Sequence, residues 1–334
     1  MAVARVPPNL FGIAFGLSGL AGAWLYASAA LGVPATVGNA IAVLAAATWV
    51  MLTLAYLRQG PRRILADTRD PALGPFLAVP VLAALVLCEA LAAPAPTAAR
   101  VIVIVLLVAG LLIGGGLLGQ WMTGGLEEQT FSTAFFLPIL GVGLVGSEAA
   151  STVGLHSMAQ VYFGIGAVAW VFMSSVVLNR LFFRPRLPAA LIPTLAIELA
   201  PPALAGSAYF LLHPGPPDQL ALALAGYAAL MIVAQVRLLP LYRALTFTPG
   251  FWSFTFPCAA MVTFALRWLA LEQPVGAGVY GWILLGAITV LIGAIAARTI
   301  VAGVRGQLLP SVDAQVAEKS GQAMDVSRRA GLAA

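Results

Sequence analysis

Ten apolar runs of about 20 residues, separated by short polar gaps, organise this chain from its start to about residue 305. At about 1.5 Å rise per residue, a helix of that length crosses a hydrocarbon core of about 30 Å. In lipid each backbone N–H and C=O must be satisfied within its own segment, so the runs read as transmembrane helices. The spacing predicts spans at 9–32, 37–58, 73–93, 99–119, 131–150, 154–179, 189–212, 219–240, 252–271 and 277–303. The expected fold class is an all-α integral membrane protein whose domain covers 1–309, with a polar, disordered tail at 310–334.

Proline punctuates the runs in alternation. The odd-numbered helices carry Pro7 and Pro8, Pro75 and Pro80, Pro138, Pro193 with Pro201 and Pro202, and Pro249 with Pro257. The even-numbered ones carry essentially none in their interiors, Pro240 standing at an end. Proline removes an i→i−4 hydrogen bond and kinks a helix, which lipid tolerates only where the freed carbonyl finds a partner or water. The split therefore predicts five hairpins with the kinked members inside. Gly12, Gly16, Gly19 and Gly22 stripe the first helix, and Gly141, Gly143 and Gly146 follow Pro138 in the fifth, a spacing that lets backbones approach closely.

Charge fixes the orientation. The 334 residues include 17 basic and 12 acidic side chains, 61% are hydrophobic, and the mean hydropathy is +0.99. A soluble domain is excluded, and long runs with short gaps exclude a barrel. With the N-terminus inside, all but Arg100 and Arg267 of the lysines and arginines fall on the inner side: Arg5, the Arg58–Arg69 loop, Arg180 to Arg186, Arg237 and Arg243, and those from Arg298 onward. This is the bias expected of an inner-membrane protein with both termini in the cytoplasm, and it accounts for the net charge of +5 without nucleic acid as a partner. Arg5, the following apolar run and Ala27-Ser28-Ala29 imitate a signal peptide, but the run is too long for one and reads as the first helix.

Chemistry is sparse. Gly114-Gly115-Gly116-Leu117-Leu118-Gly119 satisfies G-x-G-x-x-G without a preceding strand, and the single lysine, Lys319, leaves no P-loop. His156 and His213 are far apart, Cys88 and Cys258 sit inside apolar runs, and no group has metal-ligand spacing. No metal, cofactor or enzymatic activity is expected. Glu89, Glu148 and Arg267 lie towards the outer ends of their spans, where each can snorkel or meet water. Glu198, in Ile197-Glu198-Leu199-Ala200-Pro201, is deeper, and reads either as a proton-coupling group or as a brace of the kink.

The ninth helix opens with Phe251-Trp252-Ser253-Phe254-Thr255-Phe256-Pro257. With Phe11-Gly12-Ile13-x-x-Gly16 and Trp24, Phe136-Leu137-Pro138, and Phe163-Gly164-Ile165-Gly166 with Trp170, the order and spacing resemble the tellurite-resistance/dicarboxylate transporter family. Pro193-Thr194, Leu199-Ala200-Pro201 and Arg237-Leu238-x-Pro240-x-Tyr242 extend the match. That family includes the bacterial TehA proteins and the slow anion channels of plant guard cells. The resemblance implies five hairpins around a central pore, usually in a homotrimer with one pore per protomer. It implies a pore blocked from the ninth helix by the last phenylalanine of the aromatic run, here Phe256, and agrees with the proline and glycine pattern that puts Gly12, Gly16, Pro80, Pro138, Pro201 and Pro257 at the kinks and lining. It further implies small inorganic or organic anions as the permeant species, or proton-coupled carriage of a C4-dicarboxylate, sulfite or a tellurium oxyanion, for which Glu198 would be the coupling group. The chain departs from many relatives at Asp70-Pro71 and at Leu140-Gly141-Val142-Gly143.

Overall fold

The computed structural model describes residues 5–307, so the expected tail at 310–334 lies outside the described residues. Within them ten helices are long and apolar enough to cross a membrane, and no strand occurs. The first five spans are Pro8–Leu31, Ala35–Leu57, Gly74–Leu91, Pro96–Met122 and Thr133–Thr152. The second five are His156–Phe183, Ile192–Leu212, Gln219–Arg243, Pro249–Glu272 and Ala277–Val304. Each boundary falls within a few residues of the expected one. A further helix, Pro61–Arg69, occupies the basic loop after the second span and was not read from the sequence, because its nine residues are mostly polar.

Odd and even spans differ in burial. Over the most apolar 18 residues of each span, at least 39% are buried in every odd span and at most 28% in every even one, the extremes being 94% in the fifth and 6% in the eighth. Most of the large exposed hydrophobics are correspondingly on even spans: Leu112, Phe172, Val233 and Val290 are each at least 66% exposed. Five inner helices are thus surrounded by five that present apolar side chains to lipid.

The prolines of the inner helices act at a change of helix type. Each odd span begins as a 3₁₀ segment and continues as an α-helix: Pro8–Phe11 before Gly12, Gly74–Ala78 before Val79, Ile192–Leu199 before Ala200, and Pro249–Phe254 before Thr255. In the fifth span the 3₁₀ turn Thr133–Phe136 passes through a π segment, Leu137–Gly141, that contains Pro138. Pro80, Pro201 and Pro257 all stand within the first three residues of their α portions, where the missing N–H marks the switch from i→i−3 to i→i−4 bonding.

Polar side chains of even spans reach carbonyls of odd neighbours, as a water-poor interior requires. Trp49 Nε1 donates to the Pro80 carbonyl at 2.7 Å and Gln235 Nε2 to that of Leu195 at 2.9 Å. Within the inner group Thr133 donates to the Thr194 carbonyl. At the N-terminal end Arg5 pairs with the buried Asp67 of the short helix at 2.5 Å, and Tyr56 donates to the same carboxylate at 2.9 Å. Outside the spans, Asp218 caps the eighth helix by accepting from the Ala221 N–H at 3.0 Å. That bond, with one from Tyr209, holds its carboxyl below the usual carboxylate range.

Candidate functional site

Glycine lets the first and ninth helices meet. A side chain at Gly16 would overlap Thr255 and Trp252, and one at Gly19 would meet the Phe256 ring. Closeness of the two backbones brings Phe15 and Phe256 into parallel contact, ring centroids 3.6 Å apart and planes 16° from parallel. Both rings are buried, Phe256 to 6% exposure.

Two cavities lie among the inner helices. The near cavity, of about 210 Å³, is lined from the first half of every odd span: Gly12 and Phe15, Val79 and Leu82, Leu137 and Leu140, Ile197 and Pro201, Trp252 and Pro257. The far cavity, of about 220 Å³, is lined from their second halves, as by Gly22, Glu89, Glu148, Ser207 and Arg267, with Ala42 the one contribution from an even span. First halves on one side and second halves on the other mean that the five inner helices run parallel. Val145, Leu204 and Phe256 line both cavities and therefore form the partition between them.

The two cavities differ electrically. No charged side chain lines the near one, whose polar side chains are Asn9, Thr194 and Ser253. Because the inner helices are parallel, the N-terminal, partially positive ends of all five face this side. The far cavity carries Glu89, Glu148 and Arg267 together with Tyr26. No group of three or more His, Cys, Asp or Glu among the described residues could hold a metal ion.

Phe256, Gly12, Pro201 and Pro257 line the near cavity. Gly16, Pro80 and Pro138 do not line either cavity. Gly16 is covered by Thr255, the Pro80 carbonyl is held by Trp49, and the Pro138 carbonyl faces Gly114 of the fourth span, so each serves a helix contact behind the lining. Glu198 is buried at 5% exposure, its two carboxyl oxygens have no hydrogen-bond partner among the described residues, and it lines neither cavity. Phe254 packs edge-on against Tyr242 at 4.8 Å, away from the partition.

Sequence reasoning missed Phe15, which stacks on Phe256, and the other two members of the partition. Phe15 had a signal, since it lies three residues after Gly12 and four before Gly19 and so shares their helical face. Val145 and Leu204 had none, being two of many aliphatics. Glu89, Glu148 and Arg267 were read only as end-of-span charges, and the structure adds that they share one cavity. Their shared position, near the far end of three odd spans, was the available clue.

A family model described as voltage-dependent anion channel, SLAC1, matches residues 5–300. A tellurite resistance protein TehA homolog from Haemophilus influenzae is 26% identical over 319 residues, covering 90% of this chain and 92% of its own. The S-type anion channel SLAH2 of Arabidopsis thaliana is 25% identical over 199 residues, 58% of this chain and 38% of its own. The match spans all ten helices and both cavities, and this multi-pass membrane protein belongs to the SLAC1 family of voltage-dependent anion channels, the TehA-like proteins among them.

Proposed function

We propose that the chain is an anion channel, not an enzyme, in which small anions cross the inner membrane of the cell along the axis of the five odd helices, past a gate formed by Phe256. The observation that carries this reading is the partition: the Phe256 ring, stacked on Phe15, stands with Val145 and Leu204 between two cavities lined by the parallel helices. A benzyl group across a narrow passage excludes water by bulk and by poor hydration, so an ion meets a dry gap that it cannot cross cheaply. The uncharged near cavity with five helix N-termini turned towards it favours negative ions without holding them tightly, and conduction needs that weakness. The near side, the two termini and the basic loops are assigned to the cytoplasm on the distribution of arginine. Assembly as a homotrimer with one pore per protomer follows from the family resemblance.

The alternative is a proton-coupled carrier of a C4-dicarboxylate, sulfite or a tellurium oxyanion with Glu198 as its coupling group. Placement of Glu198 away from both cavities supports the channel. The test is the current carried by purified protein in a planar bilayer for the parent, Phe256→Ala and Phe254→Ala at equal amounts of folded protein. Phe256→Ala is expected to raise anion current on the order of tenfold, equivalent to about 1.4 kcal/mol off the crossing barrier, with anion-over-cation preference kept. Phe254→Ala should leave the current near the parent's. Equal currents for all three proteins would reduce Phe256 to a packing residue.

A further inference from the structure

Three ionisable side chains enter the far cavity from three helices: Glu89 from the third span, Glu148 from the fifth and Arg267 from the ninth. Nothing local in the sequence brings them together, so the packing of the inner helices does. Glu148 is only 8% exposed, and its Oε1 is buried without a hydrogen-bond partner, as is Nε of Arg267. No ion pair joins any of the three to one another. The Arg267 guanidinium lies over the Tyr26 ring instead, 4.7 Å from its centroid, which ties the cation to the first span.

With both carboxyls ionised this cavity holds one more negative than positive charge. An anion arriving there meets net repulsion, and the field of Arg267 is cancelled by its own neighbours. One proton makes the cavity neutral and a second leaves Arg267 in excess. Apolar walls at Val86, Leu87 and Val145 limit the screening, so each step changes the potential more than it would in water. Of the other titratable or charged groups on the far halves of the surrounding helices, the third span adds Cys88, the fourth Arg100 and the sixth His156 and Tyr162. The seventh span and the loop after it add Tyr209, His213 and Asp218, the eighth Tyr227, the ninth Glu272 and the tenth Tyr280. None of these lines the cavity; only Tyr26 does.

We propose that Glu89, Glu148 and Arg267 form a proton-dependent anion site, at which a small inorganic anion sits against Arg267 while the glutamates hold one or two protons taken from the far side. The anion leaves when both glutamates are ionised. This rests on the reading that anions move along the helix axis, and it adds a site and a control to it. The competent form is then a fraction of the population set by pH, and apparent affinity scales with that fraction.

Two measurements test it, with chloride as the probe. In bilayers holding the full chain with Phe256→Ala, lowering far-side pH from about 8 to about 5 at fixed near-side pH should raise chloride current several-fold. Adding Glu89→Gln and Glu148→Gln should hold the current at its acidic level throughout, and adding Arg267→Gln should lower it and raise the half-saturating chloride concentration. A pH profile unchanged by the glutamine pair, or a half-saturation unchanged without Arg267, overturns the site. The second measurement needs no conduction: the thermal midpoint of solubilised parent protein in chloride against gluconate at equal ionic strength. A bound anion raises that midpoint by mass action. The chloride-dependent rise should be larger at acid pH, equal at both pH values in the glutamine pair, and absent in Arg267→Gln. A rise that ignores pH, or that survives Arg267→Gln, overturns the site. Silent bilayers with the expected midpoint shifts would reject the conduction reading and leave the site standing.

Discussion

Phe256 and Glu198 were the two residues on which the sequence placed functional weight, and their surroundings in the fold are opposite. Phe256 has a partner, Phe15, and a space on either side. Glu198 has neither, with both oxygens buried and unpartnered off the axis. A buried polar group without a partner costs about 1–3 kcal/mol, whereas an apolar group of similar shape avoids that cost. Glu198→Leu is therefore expected to raise stability by about that amount relative to Glu198→Gln, read as the thermal midpoint of solubilised protein. If Glu198→Gln removes a response of uptake to a pH gradient and leaves passive flux intact, the carrier reading gains. The motif that carries the family resemblance pointed to Phe256. No motif could show that its ring would stack on Phe15, because that contact depends on how closely two helices approach.

At the scale of elements, glycine sets that approach. The fifth and sixth spans meet where Gly143 faces the backbone of Gly166, and a side chain at Gly143 would collide with main-chain atoms that cannot turn aside. Gly143→Leu should therefore cost more than the roughly 1–3 kcal/mol typical of overpacking, and the variant should fail to elute as a single species in detergent size exclusion. Gly164, two residues before Gly166, faces open space and should accept alanine without loss. The stripe and its spacing were legible in the sequence, but which glycines were contacts and which faced space was not. Gly16 is consumed by Thr255, whereas Gly22, on the same stripe, meets nothing within 4 Å and lines the far cavity. The prolines likewise marked where the inner helices change, while the form of the change, a 3₁₀ or π start giving way to an α-helix, depends on neighbours such as Trp49 and Gln235 that hold their carbonyls.

Over the whole molecule, the distribution of arginine predicts that reporter fusions after residues 60, 185 and 305 all report the cytoplasm, and an exported reporter at any of them would break the ten-span orientation. The number of spans and the inner-versus-outer alternation were determined by the sequence, because lipid admits only helices of a set length and proline is tolerated only where something satisfies the freed carbonyl. The sequence also singled out Phe256 as the proposed gate, through the order and spacing of motifs around Phe251 to Pro257. Tertiary structure alone decided what surrounds that gate. Val145 and Leu204 complete the partition, Phe15 stacks on its ring, and Glu89, Glu148 and Arg267 share one cavity although 178 positions separate the first of them from the last. The physical reason is that periodicity fixes which face of a helix is apolar, while the depth at which side chains from separate helices meet depends on their relative translation, which small residues permit and only packing sets.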